Sequence, residues 1–423
     1  MVRQNFLNQC WHLSYKALLS LSRNSHSFAT YCACPNSRRT QETRSARKKF
    51  CVGSVLGALL VVSLSSLLST TFVQWAEAQI WGTQRVAATL PTEKRASELL
   101  ARIADSAKAE GTVDVAMQSS LTPRGLAAVQ DAIRGKYGFD LKINYSPTRS
   151  YPKIQAQALT EHKAGAPPSF DLITGGESHI FELTEAGAVE RVDWGSLLPA
   201  DTPPETIVFG GGGLVVNTAF VGLLYNPKLI SSQEAPSNLK DLTNPKWRGK
   251  VLIPPYTATW MTQAIPLGRQ TSFSVVDAIM KNGAVVAEWP TAISRFTLGE
   301  YPLVALISET FAHQLKSRGV SIGFKPLDTP YVSLHIVAVR TRARHSNAAK
   351  LLAAFLASPG ALKIWQEIAS NPNYYYRGKS IFDLGPEWQG VRPWFWTAER
   401  LRYKSTPEGV AWEQEMSRLL IPR

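Results

Sequence analysis

The chain has 423 residues and a net charge of +14, too long for one ordinary core and suited to two α/β lobes behind a leader. All four cysteines (Cys10, Cys32, Cys34, Cys51) precede residue 52, and no segment after residue 78 carries a dense Lys/Arg run. A processed chain would therefore have no disulfide, thiolate metal site, iron–sulfur cluster or cysteine nucleophile, and nucleic acid is not an expected partner.

Residues 1–49 hold nine Lys/Arg against a single acid, Glu42, with no apolar periodicity. They read as a disordered basic extension, or as the product of a start codon placed too far upstream. An uncharged run from Phe50 to Phe72 follows Arg47-Lys48-Lys49 and leads to Ala76-Glu77-Ala78. Basic, apolar and small-x-small regions in this order predict an export signal over residues 50–78, cleaved after Ala78. The alternative is an uncleaved membrane anchor, because the run is long enough to span hydrocarbon. Either way the remainder is expected in the periplasm or otherwise outside the cytoplasm. Cleavage removes the nine bases with Glu42 and Glu77 and halves the net charge; the mild excess that is left favours an anionic ligand.

After the signal, helical spacing from Glu93 to Ala109 stops at Gly111. Val113, Val115 and Met117 alternate as a strand, and Thr122-Pro123 then opens a helix that ends near Gly138. A second strand is expected over Phe139–Tyr145, giving a βαβ unit and a parallel pair. The pattern repeats with a helix over Tyr151–Lys163, a strand over Asp171–Thr174, the turn Gly175-Gly176 and a helix to Ala186. This is a doubly wound first lobe, assigned to residues 79–215. Gly210 to Gly213 precede the long apolar stretch Leu214–Tyr225, read as the crossing into a second lobe (216–325). Strands are expected there at Lys250–Ile253, Ala284–Ala287 and Leu303–Ile307. Residues 326–423 hold a return crossing near Tyr331–Val339 and C-terminal helices, whose tryptophans Trp365, Trp388, Trp394, Trp396 and Trp412 are expected mainly to pack.

In open α/β sheets ligands bind beyond the carboxyl ends of the strands, where helix N-termini present free N–H groups. In lobe 1 this rule selects Ser119, Ser120, Thr148, Arg149, Gly175, Gly176 and Glu177. In lobe 2 it selects Tyr256, Thr257, Thr259, Trp289, Thr291, Ser308, Glu309 and Thr310. Arg149 is the best clamp for a carboxylate or phosphate, since guanidinium donates two parallel hydrogen bonds; its plain alternative is a solvated loop arginine. The hydroxyls have their own plain alternative, N-capping. Five histidines (His162, His179, His313, His335, His345) show no metal-binding spacing. Enzyme motifs are also missing: there is no G-x-S-x-G or H-E-x-x-H, and Gly378-Lys379-Ser380 lacks the first Walker glycine, Asn373 standing in its place.

Pro236-Ser237-Asn238-Leu239-Lys240-Asp241-Leu242 and Asn244-Pro245-Lys246-Trp247-Arg248-Gly249-Lys250 resemble a signature of bacterial extracellular solute-binding proteins, the cluster serving iron, polyamines and thiamine. Tyr225-Asn226, Asn347 to Leu352 and Ala357-Ser358-Pro359-Gly360 extend the resemblance over about residues 100–380. It implies a type II-like periplasmic-binding-protein fold, two doubly wound sheets joined by a hinge. It also implies a monomer without cofactor or catalysis, which captures a small polar, anionic solute or metal chelate for an ABC permease. The alternatives are a binding protein that presents its ligand to a membrane sensor, and an exported hydrolase. Iron-binding members carry adjacent tyrosines after an A-L-I-like strand, whereas Ala305-Leu306-Ile307 leads here to Ser308-Glu309-Thr310-Phe311. Ferric ligation by a tyrosine pair is therefore not expected, and Tyr374-Tyr375-Tyr376 is read as a packing tract.

Overall fold

The computed structural model describes residues 93–148, 150–376 and 386–421. The basic extension, the export segment, all four cysteines, Arg149 and Gly378-Lys379-Ser380 lie outside the described residues. Residues Thr89–Arg423 form one compact unit.

The first half is built of α1 (Glu93–Glu110), β1 (Thr112–Gln118), α2 (Pro123–Tyr137), β2 (Lys142–Thr148), α3 (Tyr151–Lys163), β3 (Leu172–Gly175) and α4 (Glu177–Glu185). Local chemistry sets these boundaries. The Thr122 hydroxyl accepts from the Gly125 N–H, Pro123 fills the first turn of α2, and Gly138 ends the helix at φ +74°. The second strand starts later than the alternation suggests. Phe139 and Leu141 are already buried ahead of it, and pairing begins where Lys142 aligns with Thr112.

Two further strands, β4 (Ile207–Val208) and β5 (Gly213–Tyr225), lead into the second half. It contains β6 (Val251–Ile253), α5 (Thr257–Leu267), α6 (Arg269–Lys281), β7 (Val285–Val286), α7 (Trp289–Thr297), β8 (Leu303–Ser308), α8 (Glu309–Ser317) and β9 (Gly323–Lys325). The chain returns through β10 (Tyr331–Val339) and finishes with α9 (Ser346–Ala357), α10 (Pro359–Glu367), α11 (Ala398–Lys404) and α12 (Pro407–Leu419).

The sheet order is β2-β1-β3-β10-β5-β8-β6-β7, with β4 and β9 also paired to β5. Strands β2, β1 and β3 are mutually parallel, as are β8, β6 and β7. Strands β5 and β10 run antiparallel to each other and to their outer neighbours β8 and β3. The two doubly wound halves therefore share a two-stranded ribbon, and their sheets form one continuous ladder. The pairing of β5 is irregular on both sides: with β10 the register shifts at His335/Ile336, where β5 has Val216 as an extra residue, and with β8 it shifts between Gly222 and Leu224. Such bulges bend a strand and re-aim its side chains.

Helix α9 is buried on nearly every side, from Ala348 to Ala357. Its first turn is capped from α1, since the Glu110 carboxylate accepts the N–H groups of Asn347 and Ala348 at 3.2 and 2.7 Å. Among the described residues no single helix is long and apolar enough to cross a membrane. The pair α9–α10, bent by 69°, passes only by length and composition, and its burial makes it core.

Candidate ligand-binding cleft

Parallel strands bring their carboxyl ends, and the helix N-termini that follow, to one edge of each half. In the first half that edge carries Gln118, Ser119 and Ser120 after β1, Tyr151 at the start of α3, and Gly175, Gly176 and Glu177 after β3. In the second it carries Tyr256 and Thr257 at α5, Trp289 at α7, and Ser308, Glu309 and Thr310 at α8.

Asn371 joins the two edges. Its Nδ2 donates to Ser120 Oγ at 3.0 Å, and its Oδ1 accepts from Thr310 Oγ1 at 3.1 Å. The preceding residue, Ser370, turns the chain with φ +55°. The segment then lies against β5, where the Thr218 N–H donates to Pro372 O at 2.7 Å and the Tyr374 N–H donates to Thr218 Oγ1 at 2.8 Å. Two hydroxyls from different halves thus converge on one amide, which brings the ends of β1 and β8 together.

A polar group flanks this bridge on the first half. Tyr151 Oη lies 2.8 Å from His335 Nδ1 and 3.2 Å from Gln118 Oε1. The Tyr151 ring meets those of His179 and His335 edge-on, with centroids 5.8 and 6.0 Å away. Burial pulls both histidines down to about 4, so they are neutral near pH 7. Gln118 Nε2, His179 Nδ1 and both amide atoms of Asn217 are buried without a hydrogen-bond partner. Asn217 pairs with His335 across the ribbon, at the rung where the register shifts. Leaving a buried polar group unmet costs about 1–3 kcal/mol, which suits these atoms to a polar ligand.

Aromatic rings line the opposite edge. Trp289 packs against Tyr256 and Phe311, with centroids 4.8 and 5.9 Å apart. Its indole Nε1 is also buried without a partner.

The residues expected from the strand-end rule take several roles. Ser120 and Thr310 meet at Asn371, whereas the Ser308 hydroxyl accepts from the Thr310 N–H at 3.3 Å and caps α8. Gly176 is the extended N-cap of α4, and Gly175 packs so closely that a Cβ would lie 3.0 Å from His179 and Ile180. Ser119 and Thr257 are half-buried at this edge, and Glu309 is fully buried. Gln118, Tyr151, His179, Asn217, His335 and Asn371 were not singled out for the site by the sequence reading. Tyr151 was within reach of it, as the first residue of a helix following a strand end.

Asp114, Asp171 and His345 offer ligand atoms within 4.8 Å of one another, near the opposite ends of β1 and β3. Asp171 is already occupied, accepting the N–H groups of Asp114 and His345 and bonding His345 Nδ1 at 2.7 Å. The trio is a structural clamp. Of the tyrosine tract, Tyr376 donates to Ala357 O at 2.6 Å, and Tyr374 and Tyr375 pack on Phe395. A separate cavity of about 450 Å³ lies between α6 and α12, and none of the strand-end residues lines it.

Residues 128–373, more than half the chain, match the family described as bacterial extracellular solute-binding protein. The chain belongs to this family. Its structure is similar to iron-bound HitA from Pseudomonas aeruginosa, at 18% identity and a TM-score of 0.56, covering 72% of this chain and 99% of that one. It is also similar to the substrate binding protein of an ABC transporter from Agrobacterium tumefaciens, at 16% identity and a TM-score of 0.59, covering 73% and 94%. AgtB from A. tumefaciens R10 in complex with agropinic acid matches at 14% identity and a TM-score of 0.56, covering 73% and 99%. At such identities the likeness concerns the fold, the two-lobed architecture that the sequence patterns lead one to expect. None of the curated proteins matches this solute-binding protein in sequence.

Proposed function

We propose that this solute-binding protein is the extracytoplasmic component of an ABC importer, closing its two lobes over one small polar solute and presenting it to a permease. The observation that carries this reading is the Asn371 amide, on which hydroxyls of both halves converge. One lobe cannot desolvate a small polar molecule alone, whereas a cleft between two sheets supplies donors from several helix N-termini. On this reading lobe 1 ends near residue 215 and lobe 2 near residue 325, with β5 and β10 as the hinge.

Ser119, Ser120 and Gly176 face Tyr256, Thr257 and Thr310 across the cleft, and Gln118, Tyr151, His179, Asn217 and His335 add hydrogen-bonding groups at its floor. Arg149 makes the site selective for an anion. The two histidines at the cleft are neutral, and none of the other residues named there is a lysine or arginine.

The test is titration calorimetry with the molecule released from the purified protein and identified by mass spectrometry. Arg149→Ala is expected to weaken binding by about 2–5 kcal/mol, roughly 30-fold to several thousand-fold. Thr257→Ala loses one hydroxyl and is expected to cost about 1 kcal/mol. An Arg149→Ala affinity within about twofold of wild type removes Arg149 from the site.

A further inference from the structure

Helices α4 and α8 occupy equivalent places in the two halves, each following the strand that borders the shared ribbon, and each is nine residues long. Each opens on a buried glutamate, Glu177 at 5% exposure and Glu309 at 1%. A carboxylate at a helix start is ordinary; one buried in both halves is not.

The two side chains reach the same ribbon from opposite edges. Strand β3 stops pairing with β10 at Gly175↔Ile336, and just beyond that point Glu177 Oε1 accepts the Leu334 N–H at 3.0 Å and the Tyr331 hydroxyl at 2.7 Å. Strand β8 stops pairing with β5 at Ser308↔Val221, and just beyond that point Glu309 is buried beside the Phe220 N–H, which favours its charged form. Leu334 pairs with Thr218, and Val332 with Phe220. The two grips therefore fall two rungs apart, with Ser333↔Ala219 between them, where the ribbon leaves the sheet of each half.

We propose that Glu177 and Glu309 are paired positioning residues that clamp opposite edges of the β5–β10 ribbon and set how stiffly it bends between the lobes. The proposal rests on the reading of the cleft as one that closes. It makes the start of each cleft-lining helix move with the strand that crosses between the halves.

Their chemistry makes the clamp sensitive to protons. Burial pushes Glu177 up to about 7, opposed by the N–H groups of Glu177 and Leu334, the Tyr331 hydroxyl and the charge of Lys404 on α11. Tyr151 from α3 and Tyr375 from the segment after α10 also face Glu177, which helps to push both phenols up. Burial pushes Glu309 up to about 8 with only the Phe220 N–H in opposition. Its Oε2 is buried without a partner, and on its own helix His313 is drawn down to about 4, first by burial and then by Lys316. Both glutamates have folded values above the ordinary carboxylate value. The stability they support is complete below the unfolded value and is lost as pH rises through about 7 and 8.

The experiment is hydrogen exchange of ligand-free protein across about pH 6–9, corrected for intrinsic exchange, on the amides of Phe220 and Leu334. Wild type is expected to lose protection at Phe220 by up to about tenfold per pH unit as pH rises toward the folded value of Glu309, about 8, and to level off above it. Glu309→Gln is isosteric with the protonated acid and is expected to flatten that profile at Phe220. Glu177→Gln is expected to do the same at Leu334. A wild-type profile independent of pH, or a Gln variant that keeps the wild-type profile, overturns the proposal. A merely structural role lowers protection at every pH and leaves the profile's shape unchanged. Because no ligand is present, a cleft that fails to close on solute is detected separately, by scattering.

Discussion

Replacing Arg340 with alanine is expected to lower the unfolding free energy by about 3–5 kcal/mol. Arg340 is 2% exposed, the last residue of the return path before the chain turns toward α9. Its guanidinium donates to Ala188 O at 3.1 Å, to Ala158 O at 3.0 Å and to Glu161 Oε2 at 3.1 Å. Alanine removes all three bonds at once, leaving the Glu161 carboxylate without its cation and α3 no longer tied to the segment after α4. Arg340→Lys is expected to recover only part of the loss, because a single ammonium cannot reproduce the planar fork. Urea unfolding followed by tryptophan fluorescence measures both. The pH dependence has a definite sign. Burial works to raise Glu161, but its partners Ser169, Gln157 and Arg340 together hold it below the ordinary carboxylate value. Its contribution is present above the unfolded value and is lost as pH falls through the folded one. Alanine at position 340 should therefore weaken the acid limb of the stability profile.

Trp365→Ala is expected to cost about 3–5 kcal/mol by emptying a large site in the first-half core. Trp365 is 1% exposed, and its indole N–H donates to Leu356 O at 3.0 Å, tying α10 to the end of α9. The urea midpoint should drop with little change in slope. An unchanged midpoint would instead assign this tryptophan to contacts with a partner rather than to the core.

Much of the fold was legible because it depends on periodicity and on residues with few conformational choices. Thr122-Pro123 and Gly138 bound α2 as their chemistry requires, and the long apolar stretch Leu214–Tyr225 and the return at Tyr331–Val339 mark the two crossings. The second strand was displaced by three residues because Phe139 and Leu141 satisfy the apolar pattern from a loop. Strand β9, only Gly323–Lys325, is too short to carry a pattern; it exists because Phe324 pairs with Leu224 of β5.

The candidate site was legible in half. Strand ends can be read from sequence, so Ser120 and Thr310 were found. Asn371 was not, because nothing local distinguishes an asparagine after a helix, and its role arises only when Ser120 and Thr310 come within reach of one side chain. His335 and Asn217 were hidden for a related reason: they sit on strands whose apolar run identifies a crossing, and only the register pairs them. Glu177 and Glu309 were selected as strand-end residues, yet their grip on opposite ribbon edges emerges only from the shared ladder.

Small-angle scattering of the purified protein, titrated with the solute released from it and followed to saturation, tests the closing cleft most directly. The account predicts that the radius of gyration falls on binding, and that Ser120→Ala combined with Thr310→Ala reaches the compact form only at higher solute concentration. A scattering curve that stays unchanged while calorimetry shows the site filling would contradict it.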